Sequence, residues 1–155
     1  MKKVIVSVSN DLITDNRVDK TCSTLVEAGY DVHLIGRLKR NSPQMNKRNY
    51  SYSRMHLCFY TSFFFYADFN LRLFFKLLFS KQDILWSNDL DTLLANYLVS
   101  RIRKIPLIFD SHELFTEVPE LKYNRFAKWF WKRVEKRIVP NLKYIVTVCN
   151  PIADY

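Results

Sequence analysis

The stretch DILWSNDLDTLLANYLVSRIRKIPLIFDSHE, residues 83–113, predicts the fold of this chain. A short apolar run covers residues 83–86, apolar residues recur at helical spacing over 91–103, and a second apolar run covers 107–109. The pattern indicates a strand, a helix and a second strand, which is how neighbouring parallel strands are usually connected. The segment therefore predicts an α/β domain.

The rest of the chain repeats this alternation. Apolar runs predict further strands at residues 3–9, 31–36, 55–60 and 144–148, and helical spacing predicts helices over 16–28, 69–79 and 125–138. Residues 37–54 are polar and basic and read as a loop. Because the strands are apolar almost throughout, we expect helices on both faces of the sheet. The fold class predicted is a doubly wound, Rossmann-like α/β domain with a parallel sheet of about six strands.

Composition indicates a single folded domain with a basic surface. The chain has 155 residues, 48% of them hydrophobic and 15% aromatic, and its net charge is +9. This length is enough to bury one core, and the charge favours anionic partners such as phosphate groups or an acidic membrane surface. The three cysteines form no CxxC pair, so no zinc or redox motif is predicted.

No segment of the sequence predicts a membrane-spanning helix. The most apolar region, residues 57–79, contains Asp68, Arg72 and Lys76. Each charge at the centre of a bilayer would cost about 2.5–3.5 kcal/mol on insertion scales. The apolar run near the N-terminus is too short for a signal peptide. We therefore expect a cytoplasmic protein.

Polar residues follow the predicted strands, at the edge of the sheet where α/β domains bind ligands. Helix capping and turn formation account equally well for Asp15, Asn88 and Asp89. His112 stands in a predicted loop and caps nothing, so we expect it to be exposed and functional. The candidate site residues at the strand ends are Asn10, Asp15, Arg17, Asn88, Asp89, His112, Glu113 and Asn150.

Several kinds of site are excluded by what the sequence lacks. With only Gly29 and Gly36, the chain cannot contain a GxGxxG fingerprint or a phosphate-binding P-loop. It has no GxSxG motif, which excludes α/β-hydrolase chemistry. The three histidines show no metal-ligand spacing, and no metal site is predicted.

Three motifs in order resemble the N-terminal domain of family 4 glycosyltransferases of the GT-B fold. They are DxRV before the first helix (Asp15, Arg17, Val18), LDTLLA after the fourth strand, and DSHE at residues 110–113. The resemblance runs through DNRVDKTCSTLVEAGYDVHLIGR and through DILWSNDLDTLLANYLVSRIRKIPLIFDSHELFTEVPEL. It spans nearly the whole chain.

The resemblance implies a two-domain enzyme of which residues 1–155 are the acceptor-side half. A second Rossmann-like domain would bind the nucleotide-sugar donor and pack on the strand-end face. Enzymes of this kind are retaining and usually use no metal and no cofactor. His112 matches the histidine that faces the transferred sugar, and Asp110 and Glu113 are candidates to orient it. Expected acceptors are glycans or lipid-linked glycans of cell-surface polysaccharide synthesis, and residues 1–155 alone should be inactive.

The sequence also departs from the family pattern at two positions. SNDLITD, residues 9–15, stands where the family often has a glycine-rich turn after the first strand. Asn88 stands where many members have a histidine. Both departures concern contacts with donor and acceptor and leave the predicted fold unchanged.

The predicted helix 125–138 is basic and amphipathic, and it contains two tryptophans. Such a helix can lie on an anionic membrane surface, which would make the protein peripheral on the inner face of the membrane. A core helix with a solvated basic face accounts for the pattern equally well. The membrane-facing candidates are Arg125, Lys128, Trp129 and Lys132.

Two other functions fit parts of the pattern. A basic α/β module that binds nucleic acid or an anionic surface would use the same cations and aromatics, but no nucleic-acid recognition motif is present and no nucleic acid is expected. One half of a nucleotide-sugar epimerase would share the two-domain architecture. A receiver domain fits poorly, because Asp11 and Asp15 do not form its acidic pair.

Overall fold

A computed structural model describes residues 1–112 and 124–147 of the chain. The strands are β1 (Lys3–Asp11), β2 (Asp31–Arg37), β3 (Ser51–Met55), β4 (Ile84–Asn88), β5 (Leu107–Ser111) and β6 (Tyr144–Thr147). The helices are α1 (Asn16–Glu27), α2 (Ser62–Phe79), α3 (Leu90–Arg103) and α4 (Arg125–Ile138), and a 3-10 turn (Val139–Asn141) follows α4. The predicted six-stranded, Rossmann-like α/β fold is confirmed.

All strand pairs are parallel, and the strand order is β3-β2-β1-β4-β5-β6. Consecutive strands run outward from β1 to β3, and the chain then returns to place β4 on the other side of β1. The order therefore reverses between β1 and β4, which is where doubly wound sheets form a crevice for ligands.

The described helices are distributed unevenly over the two faces of the sheet. Apolar residues of α2, α3 and α4 pack with Ile5, Leu85 and Phe109 in one core. The second core joins α1 to Val4 and Val6, the neighbours of Ile5 on the opposite face of β1. Side chains alternate between the faces of a strand, so three described helices cover one face and one covers the other. At the edge, Tyr144, Ile145 and Val146 of β6 are exposed.

The third strand was predicted at residues 55–60 but lies at Ser51–Met55, so four of its five residues fall in the predicted loop 37–54. β3 is an edge strand with polar side chains, and His33 of β2 contacts two of them, with 2.8 Å to Ser51 Oγ and 3.0 Å to Ser53 Oγ. After β3, Asp68 of α2 accepts from the backbone N–H of Cys58 at 2.6 Å. This bond ties the apolar segment to α2 and not to the sheet.

Other boundaries also differ from the sequence interpretation. α2 begins at Ser62 and not at residue 69, because the buried residues Phe65, Phe69, Leu73 and Leu77 recur at four-residue spacing from its first turns. β5 continues through Ser111, two residues past the predicted end, since Asp110 and Ser111 still pair with β6. The predicted end of β6 at residue 148 lies outside the described residues.

Two glycines shape the segments beside β1. Gly29 ends α1 with φ +87°, and the N–H of Tyr30 donates to Leu25 O at 3.1 Å, so the helix stops as glycine allows. Gly36 lies in β2 under the loop that follows β1. A Cβ added there would lie 2.2 Å from Leu12 Cδ2 and 3.0 Å from Asn10 O. The missing side chain of Gly36 thus lets this loop pack against the sheet.

Candidate functional site

The carboxyl ends of β1, β4 and β5 meet at the centre of the sheet and form a polar cavity. Its volume is about 430 Å³, and it opens where the strand order reverses. The end of β1, the loop that follows it and the start of α1 supply five of the lining residues, and the junctions after β4 and β5 supply one each. The lining residues are Asn10, Thr14, Asp15, Asn16, Arg17, Asp89 and His112.

Asp89 connects the three chain segments of the cavity. Its Oδ2 accepts from Arg17 Nη2 of α1 at 3.3 Å, and its Oδ1 accepts from the backbone N–H of His112 at 3.1 Å. Its own N–H donates to Asp110 O at 2.9 Å. The side chain of Arg17 is 39% exposed and that of Asp89 is 14% exposed. A half-exposed cation and a nearly buried carboxylate therefore lie together at the strand ends.

The backbone of Asp89 is strained. Its φ is 59° and its ψ is 168°, a region that side-chain-bearing residues rarely adopt. Although Asp89 precedes the first residue of α3, its side chain makes no capping hydrogen bond to that helix. It is turned towards Arg17 and His112 instead. Capping therefore does not explain Asp89, and strain of this kind is typical of functional sites.

Burial raises the pKa of the Asp89 carboxyl above its ordinary value. The hydrogen bond from the N–H of His112 and the charge of Arg17 oppose this increase without cancelling it. The charged form of Asp89 is thus less favourable here than in water.

His112 is less exposed than the sequence led us to expect. Its side chain is 9% exposed, and its Nε2 lies 2.8 Å from Oδ1 of Asp110. Trp86 Nε1 donates to the other oxygen of Asp110 at 3.2 Å. The expectation of an exposed loop histidine was wrong, because β5 extends to Ser111 and holds Asp110 beside the ring. Asp110 and His112 are therefore within ion-pair distance, although the two side chains are not aligned for a hydrogen bond.

The structure places the other predicted residues in different roles. Asp15 caps α1, with Oδ1 accepting from the N–H of Val18 at 3.1 Å, while its Oδ2 accepts from Asn10 Nδ2 at 3.5 Å. Asn10 is exposed at the cavity. Asn88 is fully buried, and its Nδ2 donates to Ser7 O of β1 at 3.0 Å, so it joins two strands below the cavity.

Glu113 and Asn150 lie outside the described residues. Among the described residues, Thr14 and Asn16 also line the cavity, and the sequence interpretation did not name either as a candidate. Thr14 precedes Asp15 and Asn16 follows it, and this adjacency to the DxRV segment was the signal that could have identified them.

The membrane-facing candidates of α4 divide into two groups. Arg125 and Trp129 are exposed, whereas Lys128 and Lys132 are half-buried. The Arg133 guanidinium carbon lies 5.8 Å from the centre of the Trp129 ring, which adds a second cation to the exposed side. The outward face of α4 thus combines aromatic and basic side chains.

Two further findings concern only the described residues. None of their helices is long and apolar enough to cross a membrane. No group of three or more His, Cys, Asp or Glu side chains in residues 1–112 and 124–147 could hold a metal ion.

Solved structures show the same fold at low sequence identity. One solved form of sucrose-phosphate synthase from Thermosynechococcus elongatus superposes with a TM-score of 0.73 and 12% identity over 99% of this chain and 80% of that chain. For another form of that enzyme the TM-score is 0.72 at 14% identity, over 99% of this chain and 44% of that one. MurG from Acinetobacter baumannii gives 0.59 at 10% identity, over 97% of this chain and 42% of its own length.

A UDP-N-acetylglucosamine 2-epimerase also superposes, with a TM-score of 0.52 and 15% identity over 88% of this chain and 40% of that one. No curated protein sequence matches the chain significantly.

The family is decided by sequence. The model of Glycosyltransferase Family 4 matches residues 15–155, which include the DxRV segment, the β4–α3 junction and the DSHE motif. It begins at Asp15, the residue that caps α1 beside the polar cavity. The match and the shared GT-B fold confirm the resemblance inferred from the motifs, and the chain belongs to Glycosyltransferase Family 4.

Proposed function

We propose that this chain is the acceptor-side domain of a retaining glycosyltransferase. The enzyme would transfer a sugar from a nucleotide-sugar to a glycan or lipid-linked acceptor in cell-surface polysaccharide synthesis. The observation that carries the proposal is the polar cavity at the strand-order reversal, where Arg17, Asp89 and His112 converge. Family membership supports the reaction class.

The residues of the cavity suit a sugar bound next to a phosphate. Sugar hydroxyls need both donors and acceptors, which Asn10, Asp15 and Asp89 supply. As the bond between sugar and phosphate breaks, negative charge accumulates on the leaving phosphate. The Arg17 guanidinium stays positively charged at any physiological pH and would stabilise this negative charge. His112 would hydrogen-bond the transferred sugar.

Asp89 has a supporting role in this proposal. It accepts from Arg17 and from the backbone of His112, so it fixes the distance between the cation and the histidine. Reaction rates depend steeply on such positioning. Asn88 would support the same strand end from below, and Glu113 and Asn150 remain proposed substrate contacts.

We propose that a second domain binds most of the nucleotide-sugar and packs on the strand-end face. Residues 1–155 span less than half the length of the larger sucrose-phosphate synthase and MurG chains that they resemble. The donor is a substrate, and the proposal needs no resident cofactor or metal.

The test is a transfer assay on the natural protein that contains this domain. Nucleotide-sugars are supplied with acceptor extracts, nucleotide release is measured, and the anomeric configuration of the product is read by NMR. We expect release that depends on acceptor and a product with the anomeric configuration of the donor. An inverted product would contradict the retaining reaction.

Epimerisation of a nucleotide-sugar is the second candidate, favoured by the similarity to a UDP-N-acetylglucosamine 2-epimerase. The same assay separates the two functions. An epimerase converts the nucleotide-sugar without any acceptor, and its product keeps the nucleotide. Such a product would replace the glycosyltransferase proposal.

We further propose that the protein lies on the inner, cytoplasmic face of the membrane. Arg125 and Trp129 on the outward face of α4 would contact the lipid, because aromatic rings and cations both favour an anionic interface. This arrangement would bring a lipid-linked acceptor close to the polar cavity.

A further inference from the structure

A second cavity lies between α2, α3 and α4, on the face of the sheet that these helices cover. Its volume is about 330 Å³, and it shares no lining residue with the polar cavity. Aromatic and aliphatic side chains from all three helices form its walls. They include Phe63, Phe74, Leu94, Leu98, Phe130 and Trp131.

The amide of Asn70, which also lines this cavity, is fully engaged within the protein. Its Nδ2 donates to Tyr66 O at 3.0 Å and to Asp91 O at 2.7 Å, and its Oδ1 accepts from the N–H of Ala95 at 3.3 Å. The amide therefore has little capacity left for a ligand or for ordered water. A cavity with such walls favours an apolar occupant over water.

The cavity opens to solvent between α2 and α3. Leu71 and Leu98 both line it, yet they are 59% and 43% exposed. At the start of α2, the wall residue Phe63 makes an edge contact with Phe126 of α4, which is itself exposed. An exposed apolar surface that continues into an apolar cavity is typical of a binding site.

The size and the charge of this region indicate the occupant. A helix is 10–12 Å wide with its side chains, too wide to enter about 330 Å³ of space bounded by three helices. An extended hydrocarbon chain fits such a volume. The helix α4, which lines the cavity through Phe130 and Trp131, also carries exposed cations, and cations on a wall helix favour an occupant that bears an acidic group.

We propose that this cavity binds the hydrocarbon chain of a phosphate-bearing membrane lipid. The chain enters between Leu71 and Leu98, while the acidic headgroup stays at the surface near the basic side of α4. The proposal deepens the proposed function by giving a lipid-linked acceptor a place for its tail, and its choice of a lipid rests on that function.

The three tryptophans of the chain make the test direct. Trp131 lines the cavity, Trp129 is exposed, and Trp86 belongs to β4, so Trp86→Phe with Trp129→Phe leaves only the cavity tryptophan. This variant is mixed with phosphatidylglycerol vesicles that carry bromine on the acyl chains. We expect strong quenching of Trp131 emission, because bromine quenches an indole only at close range.

Ala67→Phe is the blocking variant. Ala67 lines the cavity and is exposed, so a larger side chain can fill the space without disturbing the core. We expect quenching to fall about ten-fold, since an excluded chain loses several buried methylene groups. Phe79→Ser is the matched control, because Phe79 is 80% exposed on the same helix but does not line the cavity. Circular dichroism confirms that each variant folds, and Ala67→Leu is used as the blocking variant if Ala67→Phe does not fold.

The outcomes distinguish a lipid chain inside the cavity from lipid adsorbed at the surface and from a second copy of the protein. Quenching that survives Ala67→Phe and is lost in Phe79→Ser would mean adsorption to the vesicle surface and would overturn the proposal. Absence of quenching with any vesicle would overturn it too. A dimer that Ala67→Phe dissociates, detected by sedimentation without lipid, would show that a second copy fills the cavity. No sugar enters these measurements, so failure of the glycosyl-transfer proposal leaves their result unchanged.

Discussion

At the scale of single residues, Asp89 connects the segments of the site through hydrogen bonds while its own backbone adopts a strained conformation. Residues in its φ, ψ region carry a strain on the order of 1–3 kcal/mol. Its N–H donates a hydrogen bond to the backbone carbonyl of Asp110, and its carboxylate accepts hydrogen bonds from Arg17 and from the backbone N–H of His112. These three contacts offset the strain and fix the ends of two strands relative to α1.

Asp89→Asn should change how stability depends on pH. The folded state raises the pKa of this carboxyl, so the parent protein loses stability as pH rises from about 4, the ordinary value, through the raised value. The asparagine variant has no such loss. Its stability relative to the parent should therefore increase with pH across that window, as measured by urea unfolding at a series of pH values.

Glu27→Gln, which removes an exposed carboxylate at the end of α1, is the control for the loss of one negative charge. A difference between Asp89→Asn and the parent that is constant with pH would contradict a raised pKa.

His112→Ala should lower transfer by the natural enzyme several tens-fold or more, the effect of losing one transition-state contact. It should also destabilise the protein by about 1 kcal/mol or more, because the ring is nearly buried beside Asp110. kcat/KM and urea unfolding measure the two effects. His56→Ala, an exposed histidine, is the control.

A His112→Ala variant that is unstable but transfers sugar at the parental rate would limit His112 to a structural role. Asp110→Asn tests orientation, because it keeps the shape beside the ring and removes the charge. If Asp110 positions His112, the Asp110→Asn variant should lower kcat by a larger factor than it raises KM.

At the scale of elements, the close approach of the loop after β1 to β2 depends on Gly36. Gly36→Ala would place a methyl group against Leu12 and the carbonyl of Asn10. We expect a loss of about 1–3 kcal/mol of unfolding free energy, as in other overpacked sites. Denaturant unfolding measures it.

Gly29→Ala is the informative comparison. At Gly29 an added Cβ meets nothing within 4 Å, but φ is +87°, so a loss of about 1 kcal/mol should come from the backbone alone. Leu12 is buried, so Leu12→Ala is destabilising by itself, but in a double-mutant cycle it should cost less in the Gly36→Ala background than in the parent and equally in the Gly29→Ala background. Absence of such coupling with Gly36→Ala would mean that the contact with Leu12 is not the cause.

The elements that the sequence misplaced share a physical cause. β3 is an edge strand whose serines bond His33, so its polar side chains do not read as a buried strand. The aromatic run that followed it read partly as a strand, since aromatic residues favour sheets as well as buried helices. Only the tertiary structure distinguishes a strand from a helix here: Asp68 accepts a hydrogen bond from the backbone of Cys58, and Phe65 and Phe69 pack in the core.

The outward face of α4 makes a prediction about membranes. Arg125→Glu with Trp129→Ser should greatly weaken binding to phosphatidylglycerol vesicles, because both side chains are exposed and neither belongs to the core. Vesicle co-sedimentation measures this, and salt should weaken binding by the parent protein. Lys20→Glu on α1, across the sheet, should have a much smaller effect. Equal binding to neutral vesicles would mean that α4 is only a solvated basic face.

At the scale of the whole molecule, the polar cavity that the described residues form is open to solvent. Residues 1–155 alone should therefore transfer no sugar, because the donor phosphates would lack most of their binding site. The isolated domain and the natural protein are compared in the same nucleotide-release assay. Turnover by residues 1–155 would show that this domain binds the donor unaided.

Much of the site could be predicted from sequence, because parallel strands bring the residues after them to one edge. That rule alone placed Asn10, Asp89 and His112 together, and the DxRV motif added Arg17. It could not predict that Asn88 points into the sheet or that the His112 ring lies against Asp110. Those facts depend on side-chain direction and on where β5 ends, and both are set by neighbouring strands.

The exposed strand β6 has a consequence for how this domain behaves in concentrated solution. An uncovered apolar strand at the rim of a sheet is a template for pairing with another molecule, and proteins normally protect such rims with charge or with covering segments. Tyr144, Ile145 and Val146 carry no charge, but the ammonium group of Lys143 lies 5.3 Å from the centre of the Tyr144 ring. The net charge of +9 adds a repulsion between molecules, and added salt shortens the distance over which both charges act. The colloidal stability of the domain thus depends on ionic strength, and dilute buffers keep it dispersed where salt-rich ones promote strand-to-strand aggregation.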